Sequence, residues 1–159
     1  MMKLLSFCAA LFLAGGAFAQ TSVALGGLSV DTSAAIEITA DSLSIDQDTS
    51  TAVFDGNVVI GQGDLRITAG RVEVVYGNDT TQIARLLASG GVTFVTAAEA
   101  AEAHLADYDI TTGLLVLTGE VLLTQGASAI SAGRMSINVT DGTATMDGRV
   151  RTVLQQGGN

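Results

Sequence analysis

Four copies of one short pattern recur along the chain, and their spacing constrains the fold more than any single residue does. Each copy ends an apolar run on an Ala and resumes its apolar residues three positions later. It then turns and closes on h-x-Gly-x-Val, where h is apolar. The Ala anchors are Ala40, Ala69, Ala103 and Ala132; the Gly anchors are Gly56, Gly90, Gly119 and Gly148. Ala to Gly is 16, 21, 16 and 16 residues, and Gly to the next Ala is 13 each time, a unit of 29 residues with one five-residue insertion in the second copy. A fixed period of this length marks a repeat architecture, whose units bury their apolar faces on their neighbours. Function in such a chain belongs to a long surface or groove.

Within each copy the apolar residues alternate, which is the period of a strand. Ile36, Ile38 and Ala40 share a face, yet Leu43 and Ile45 follow Ala40 by odd steps. The same break follows Ala69 (Val72, Val74), Ala103 (Ala106, Tyr108) and Ala132 (Met135, Ile137). An odd step reverses the face of a regular strand. Keeping both sets inward needs a bulge or corner at the residue after each Ala, where a strand bends from one sheet into another. The second half of each unit keeps period two through its Gly: Phe54-x-Gly56-x-Val58-x-Ile60, Ala88-x-Gly90-x-Val92-x-Phe94, Leu117-x-Gly119-x-Val121-x-Leu123 and Met146-x-Gly148-x-Val150. The Gly column is expected to face inward, bending the strand or clearing volume. Ala97 to Ala106 has helical propensity, but its register repeats strand columns. The expected fold is all-β: an open antiparallel β-jellyroll of two facing bent sheets built from four copies.

Residues 1–19 read as a secretory signal peptide, with Lys3, an apolar run from Leu4 to Phe12, and Ala17-Phe18-Ala19 as the cleavage motif. Cleavage after Ala19 removes the only Cys and the only Lys. Six Arg then face 16 carboxylates, a net charge of −10. The export route and the missing cysteines suit a bacterial periplasm. The charge argues against nucleic acid and against a polybasic membrane patch. Residues 20–35 are small and polar and are expected to form a flexible linker, 36–154 the domain, and 155–159 a tail.

No residue pattern supports catalysis or a cofactor. His104 is the only His, and alternation points it to solvent. No Ser lies in G-x-S-x-G. Asp46-Gln47-Asp48 begins like a calcium loop, but Thr51 stands where that loop needs Gly. What remains is the apolar face itself: Ile38, Leu43, Ile45, Phe54, Val58 and Ile60 in the first copy, Val72, Val74 and Phe94 in the second, Tyr108, Leu117, Val121 and Leu123 in the third, and Met135, Ile137, Met146 and Val150 in the last. These residues form either a filled core or a trough for a hydrophobic ligand. An acyl chain in such a trough gains about 0.8 kcal/mol per buried methylene.

Ile-Thr-Ala-Asp-Ser-Leu (38–43), Phe54-Asp55-Gly56-Asn57-Val58, Leu117-Thr118-Gly119-Glu120-Val121 and Ala132-Gly133-Arg134-Met135, behind a signal peptide, together resemble the LptA/OstA-like family of periplasmic lipopolysaccharide-transport proteins. The resemblance spans roughly residues 36–154. It implies a carrier that bridges inner and outer membranes, holding lipopolysaccharide acyl chains in a greasy groove and stacking end to end. The implied partners are an LptC-like protein at the inner membrane and an LptD-like protein at the outer. Arg71 and Arg134 share a repeat column and are the candidates for head-group contact. The alternative is a self-assembling β-solenoid scaffold or adhesin without a lipid.

Overall fold

The computed structural model describes residues 21–24, 31, 33–78 and 81–154, with the backbone alone for 21–24. The expected signal peptide, much of the linker and the tail lie outside the described residues.

The described chain is strand and turn throughout. Four long strands carry the architecture: β4 (Thr51–Gln62), β5 (Leu65–Tyr76), β10 (Leu114–Gln125) and β11 (Ser128–Asn138). Each bends at its middle and serves two layers. Between them lie the short strands β6 (Ile83–Ser89), β7 (Val92–Val95), β8 (Glu99–Ala103) and β9 (Leu105–Asp109). The ends carry β1 (Thr21–Ala24), β2 (Glu37–Thr39), β3 (Ser42–Asp46), β12 (Thr143–Asp147) and β13 (Arg151–Val153). All pairing is antiparallel. The first layer runs β3, β4, β5, β6, β9, β10, β11, β12, β1. The second runs β2, β4, β5, β7, β8, β10, β11, β13. The Ala-rich stretch lies in β8 and β9, where repeat register overrides helical propensity.

The corner between the layers joins the two sequence columns that looked separate. In β4 against β5, Asp55 pairs Arg71 and Val58 pairs Ala69, so Gly56 and Asn57 together oppose Gly70 alone. In β10 against β11, Gly119 and Glu120 oppose Gly133 in the same way. The extra residue of each bulge therefore belongs to the Gly column, and the residue after each Ala is its single partner. The four column glycines have φ between 81° and 85°, a left-handed conformation that costs an L side chain roughly 1–2 kcal/mol. The backbone closes across each corner: Asp41 N–H donates to the Gly56 carbonyl at 2.9 Å, His104 N–H to Gly119 at 3.0 Å, and Gly133 N–H to Gly148 at 2.7 Å.

This corrects the expectation that the Gly column clears volume inside the sheets. The space it leaves is taken by the neighbouring strand. A Cβ on Gly90 or Gly148 would lie 3.2 Å from the backbone of Gly70 or Gly133, and one on Gly119 2.8 Å from the His104 side chain. The odd step after each Ala works as expected, since Ala69 and Val72, Ala103 and Ala106, and Ala132 and Met135 are all buried.

Part of the expected linker is structured as well: Thr21–Ala24 forms β1 on the outer edge of β12, at the far end of the molecule from β2. Its short Thr-Ser-Val-Ala sequence suits an edge position, where an unpaired backbone row is available.

Gly148→Ala combines a left-handed backbone with contact against main chain that cannot swing away. It should cost about 2 kcal/mol in urea unfolding, against less for Gly126→Ala, which has a positive φ but open space around it. Equal costs would mean that corner contact contributes nothing beyond φ.

Candidate functional site

The two layers face each other across one continuous apolar interior. The first layer contributes Val72, Val74, Leu86, Tyr108, Leu115, Leu117, Met135, Ile137 and Met146, and the second Val58, Ile60, Leu65, Ile67, Val92, Phe94, Val121 and Leu123, each at most 3% exposed. Most of the sequence-derived face therefore meets in one place and fills it. Leu65, Ile67, Leu86, Val92 and Leu115 belong to the same surface by simple alternation.

Four members of that face differ in degree. Ile38 and Phe54 are half-buried, and Leu43 and Ile45 are exposed at 52% and 65%. All four lie at the β2/β3 end, where no further strand among the described residues covers them. Leu43 and Ile45 pair with Phe54 and Ala52, so they keep the interior-facing register while standing in solvent. A hollow of about 460 Å³ opens there, lined by Ile45, Ser50, Thr51 and Tyr76 among others. The interior is thus packed through its middle and open at this end. Val150 is also exposed, at 37%. Its counterparts Val58, Val92 and Val121 are buried, each with a further unit beside it among the described residues.

The rim opposite the corner is polar, and sequence alternation did not single it out. The Tyr108 hydroxyl, from the first layer, donates to Gln62 Oε1, from the second, at 3.1 Å. Gln62 Nε2 donates to the Ala34 carbonyl at 3.2 Å. Buried Glu99 accepts from Gln125 Nε2 at 3.0 Å and from Thr96 Oγ1 at 2.9 Å. A signal was available: Gln62, Thr96 and Gln125 each stand six residues after a column Gly. Burial raises the Tyr108 phenol above its ordinary value near 10.

Arg71 and Arg134 lie elsewhere. They line a shallow trough of about 330 Å³ on the outer face of the first layer, with Glu73, Leu87, Leu105, Asp107 and Val116. Arg71 bonds Asp55 at 2.9 Å. A head-group contact by either Arg would be made outside the sandwich, away from the interior. Arg85 pairs with Asp107, which holds its guanidinium more firmly charged than usual. His104 is exposed, as alternation requires, and its Nε2 lies 3.1 Å from Glu120.

A family profile described as "LptA/(LptD N-terminal domain) LPS transport protein" matches residues 37–143. The chain belongs to this family. Its match covers most of the corner-and-strand pattern described above, from β2 to the start of β12. An uncharacterised protein of Rhizobium meliloti (strain 1021) is 31% identical over 154 residues, covering 89% of this chain and 83% of that protein. Among solved structures, the chain is similar to LptH of Pseudomonas aeruginosa, described as the LptA homologous periplasmic component of the conserved lipopolysaccharide transport device. The TM-score is 0.71 at 17% identity, covering 80% of this chain and 99% of that one. That likeness establishes the open LptA-like β-jellyroll as the fold.

Tyr108→Phe should lower stability by about 1 kcal/mol through loss of the inter-layer bond. The raised phenol has a second consequence. Its neutral form is favoured in the fold, so its contribution is complete below the unfolded value near 10 and is lost as pH rises through the higher folded value. Urea midpoints measured from pH 8 to 11 should fall more steeply for the unsubstituted chain than for Tyr108→Phe; parallel profiles would remove Tyr108 as the cause.

Proposed function

We propose that this chain is a non-enzymatic periplasmic carrier of lipopolysaccharide, holding acyl chains between its two layers. The observation that carries this reading is the interior itself: two continuous apolar faces, hinged along one line of glycine bulges and left open at the β2/β3 end. Exchange between these faces and an acyl chain replaces apolar contact with apolar contact. Its free energy is therefore small per atom, while each methylene taken from water contributes about 0.8 kcal/mol. Parting the layers breaks the Tyr108 to Gln62 bond at the rim, about 1 kcal/mol. Family membership supports lipopolysaccharide as the lipid, and the neighbour LptH supports the periplasm as the compartment. Signal-peptide cleavage after Ala19 is part of the same reading.

The bridge follows from the edges. Among the described residues, β2 and β3 have no strand on their outer edges at one end, and β1 and β13 have none at the other. Open edges accept a neighbour's strand. We infer end-to-end stacking of copies, with an LptC-like protein at one terminus of the stack and an LptD-like protein at the other. The packed middle of the interior favours one competing reading, a filled β-solenoid that assembles without lipid.

The test uses the exposed mouth. A charge at Val58 or Val121 would sit in a fully packed interior and unfold the protein. Ile45 is interior-facing yet 65% exposed, so Ile45→Asp leaves the fold intact. It should weaken binding of purified lipopolysaccharide about tenfold, which is about 1.4 kcal/mol. Val95→Asp, on the outer face, should leave binding unchanged. Equal binding by all three proteins, or none by the unsubstituted chain, would favour the filled scaffold.

A further inference from the structure

The strand β1 stands in an informative register. It pairs β12 as Thr21 with Met146, Ser22 with Thr145, Val23 with Ala144 and Ala24 with Thr143. In the first copy β3 pairs β4 as Leu43 with Phe54, Ser44 with Val53, Ile45 with Ala52 and Asp46 with Thr51. Phe54 and Met146 each stand two residues before a column Gly, so the two ladders match column for column; β1 lies on the far edge of β12, the edge that β5 takes on β4 with Val72 opposite Phe54. Thr21, Ser22 and Val23 take the columns of Leu43, Ser44 and Ile45. The direction agrees too, since both strands run antiparallel to their partners. β1 is thus placed as a fifth copy's β3 would be.

We propose that the outer edge of β12 is the docking edge for β3 of a second copy, and that β1 is a built-in mimic of that strand which caps the edge until it is displaced. The proposal rests on the stacking reading and deepens it: it names the two edges and the competitor. In a stack, β3 of the incoming copy would lie antiparallel on β12 and continue the first layer without a break. While β1 holds the edge, an incoming strand meets the outer row of β1 and cannot take the column on β12.

The tether makes the cap displaceable. Along the first layer β1 and β3 stand eight strand spacings apart, roughly 38 Å at about 4.8 Å each. β2, where the chain re-enters the domain, is equally far along the molecule. Thirteen chain steps join Ala24 to Glu37, a reach of at most roughly 45 Å. Pairing β1 within its own chain must therefore satisfy a span close to that reach. An incoming β3 carries no such constraint, because it is already part of a folded edge. It also brings Leu43 and Ile45, both exposed until then, onto the end of the next interior.

The experiment compares three proteins expressed with their own leader. Val23→Pro weakens the cap, because proline removes a ladder donor and does not fit a paired strand. Ser22→Cys/Thr145→Cys locks it, because the two positions are direct cross-strand partners and the exported chain has no other cysteine. Sedimentation velocity over a concentration series reads the stacking. Relative to the unsubstituted chain, Val23→Pro should associate about tenfold more tightly. The oxidised double variant should stay monomeric and recover stacking on reduction. A locked chain that stacks as well as the others would overturn the assignment of β12 as the docking edge while leaving stacking itself intact. Association of Val23→Pro no tighter than that of the unsubstituted chain would overturn β1 as its competitor. If none of the three associates at any concentration, the stacking reading falls and takes the proposal with it.

Discussion

The corner bulge is the constraint on which the rest of this structure depends. Two residues, a left-handed Gly and its successor, oppose one residue on the neighbouring strand, and the arrangement recurs on strand after strand. Each bulge bends its strand, and because the bulges align they fold one continuous ladder into two facing layers. The close approach of Gly70 to Gly90 and of Gly133 to Gly148 would press a Cβ on Gly90 or Gly148 against main chain. Position 104 solves the same problem differently. His104 covers Gly119 from outside and reaches Glu120, so the one imidazole of the chain serves a corner.

Much of this was legible because a repeat states its rules several times. The odd step after Ala40, Ala69, Ala103 and Ala132 required a corner, and the corner is there. Alternation assigned the interior face, since burial follows the period of a strand wherever a neighbour exists to supply cover. What sequence did not place shares one cause: it gives a strand's own faces but not which strand lies beside it. The Gly column looked like cleared groove volume because its occupant, the residue after Ala in the adjacent strand, is 15 to 20 positions away. Leu43, Ile45 and Val150 looked like their buried counterparts because nothing local marks the first or last unit. Arg71 and Arg134 do share a column, but the column faces outward. β1 was hidden for the same reason, since its partner β12 lies some 120 residues on.

The same geometry carries the functional reading. A sandwich closed by covalent turns on both sides would resist opening. Here one long side is a line of glycine bulges and the other a rim of separate turns linked by side chains such as Tyr108 and Gln62. Asp109 stabilises one of those turns by accepting from the Thr112 N–H, which holds its carboxyl below the ordinary range. The interior contains apolar side chains that exchange one apolar neighbour for another at little cost. The proposed carrier would in this way be well packed when empty and still admit lipid.

The direct test is the separation of the two layers at the rim. Spin labels at Asp64, in the β4–β5 turn, and Thr112, in the β9–β10 turn, occupy exposed sites on opposite layers. Pulsed dipolar spectroscopy would read their distance with and without bound lipopolysaccharide. The account predicts a lengthening of roughly 4 Å, one further layer of van der Waals contact. An unchanged distance in protein shown to carry the lipid would contradict it.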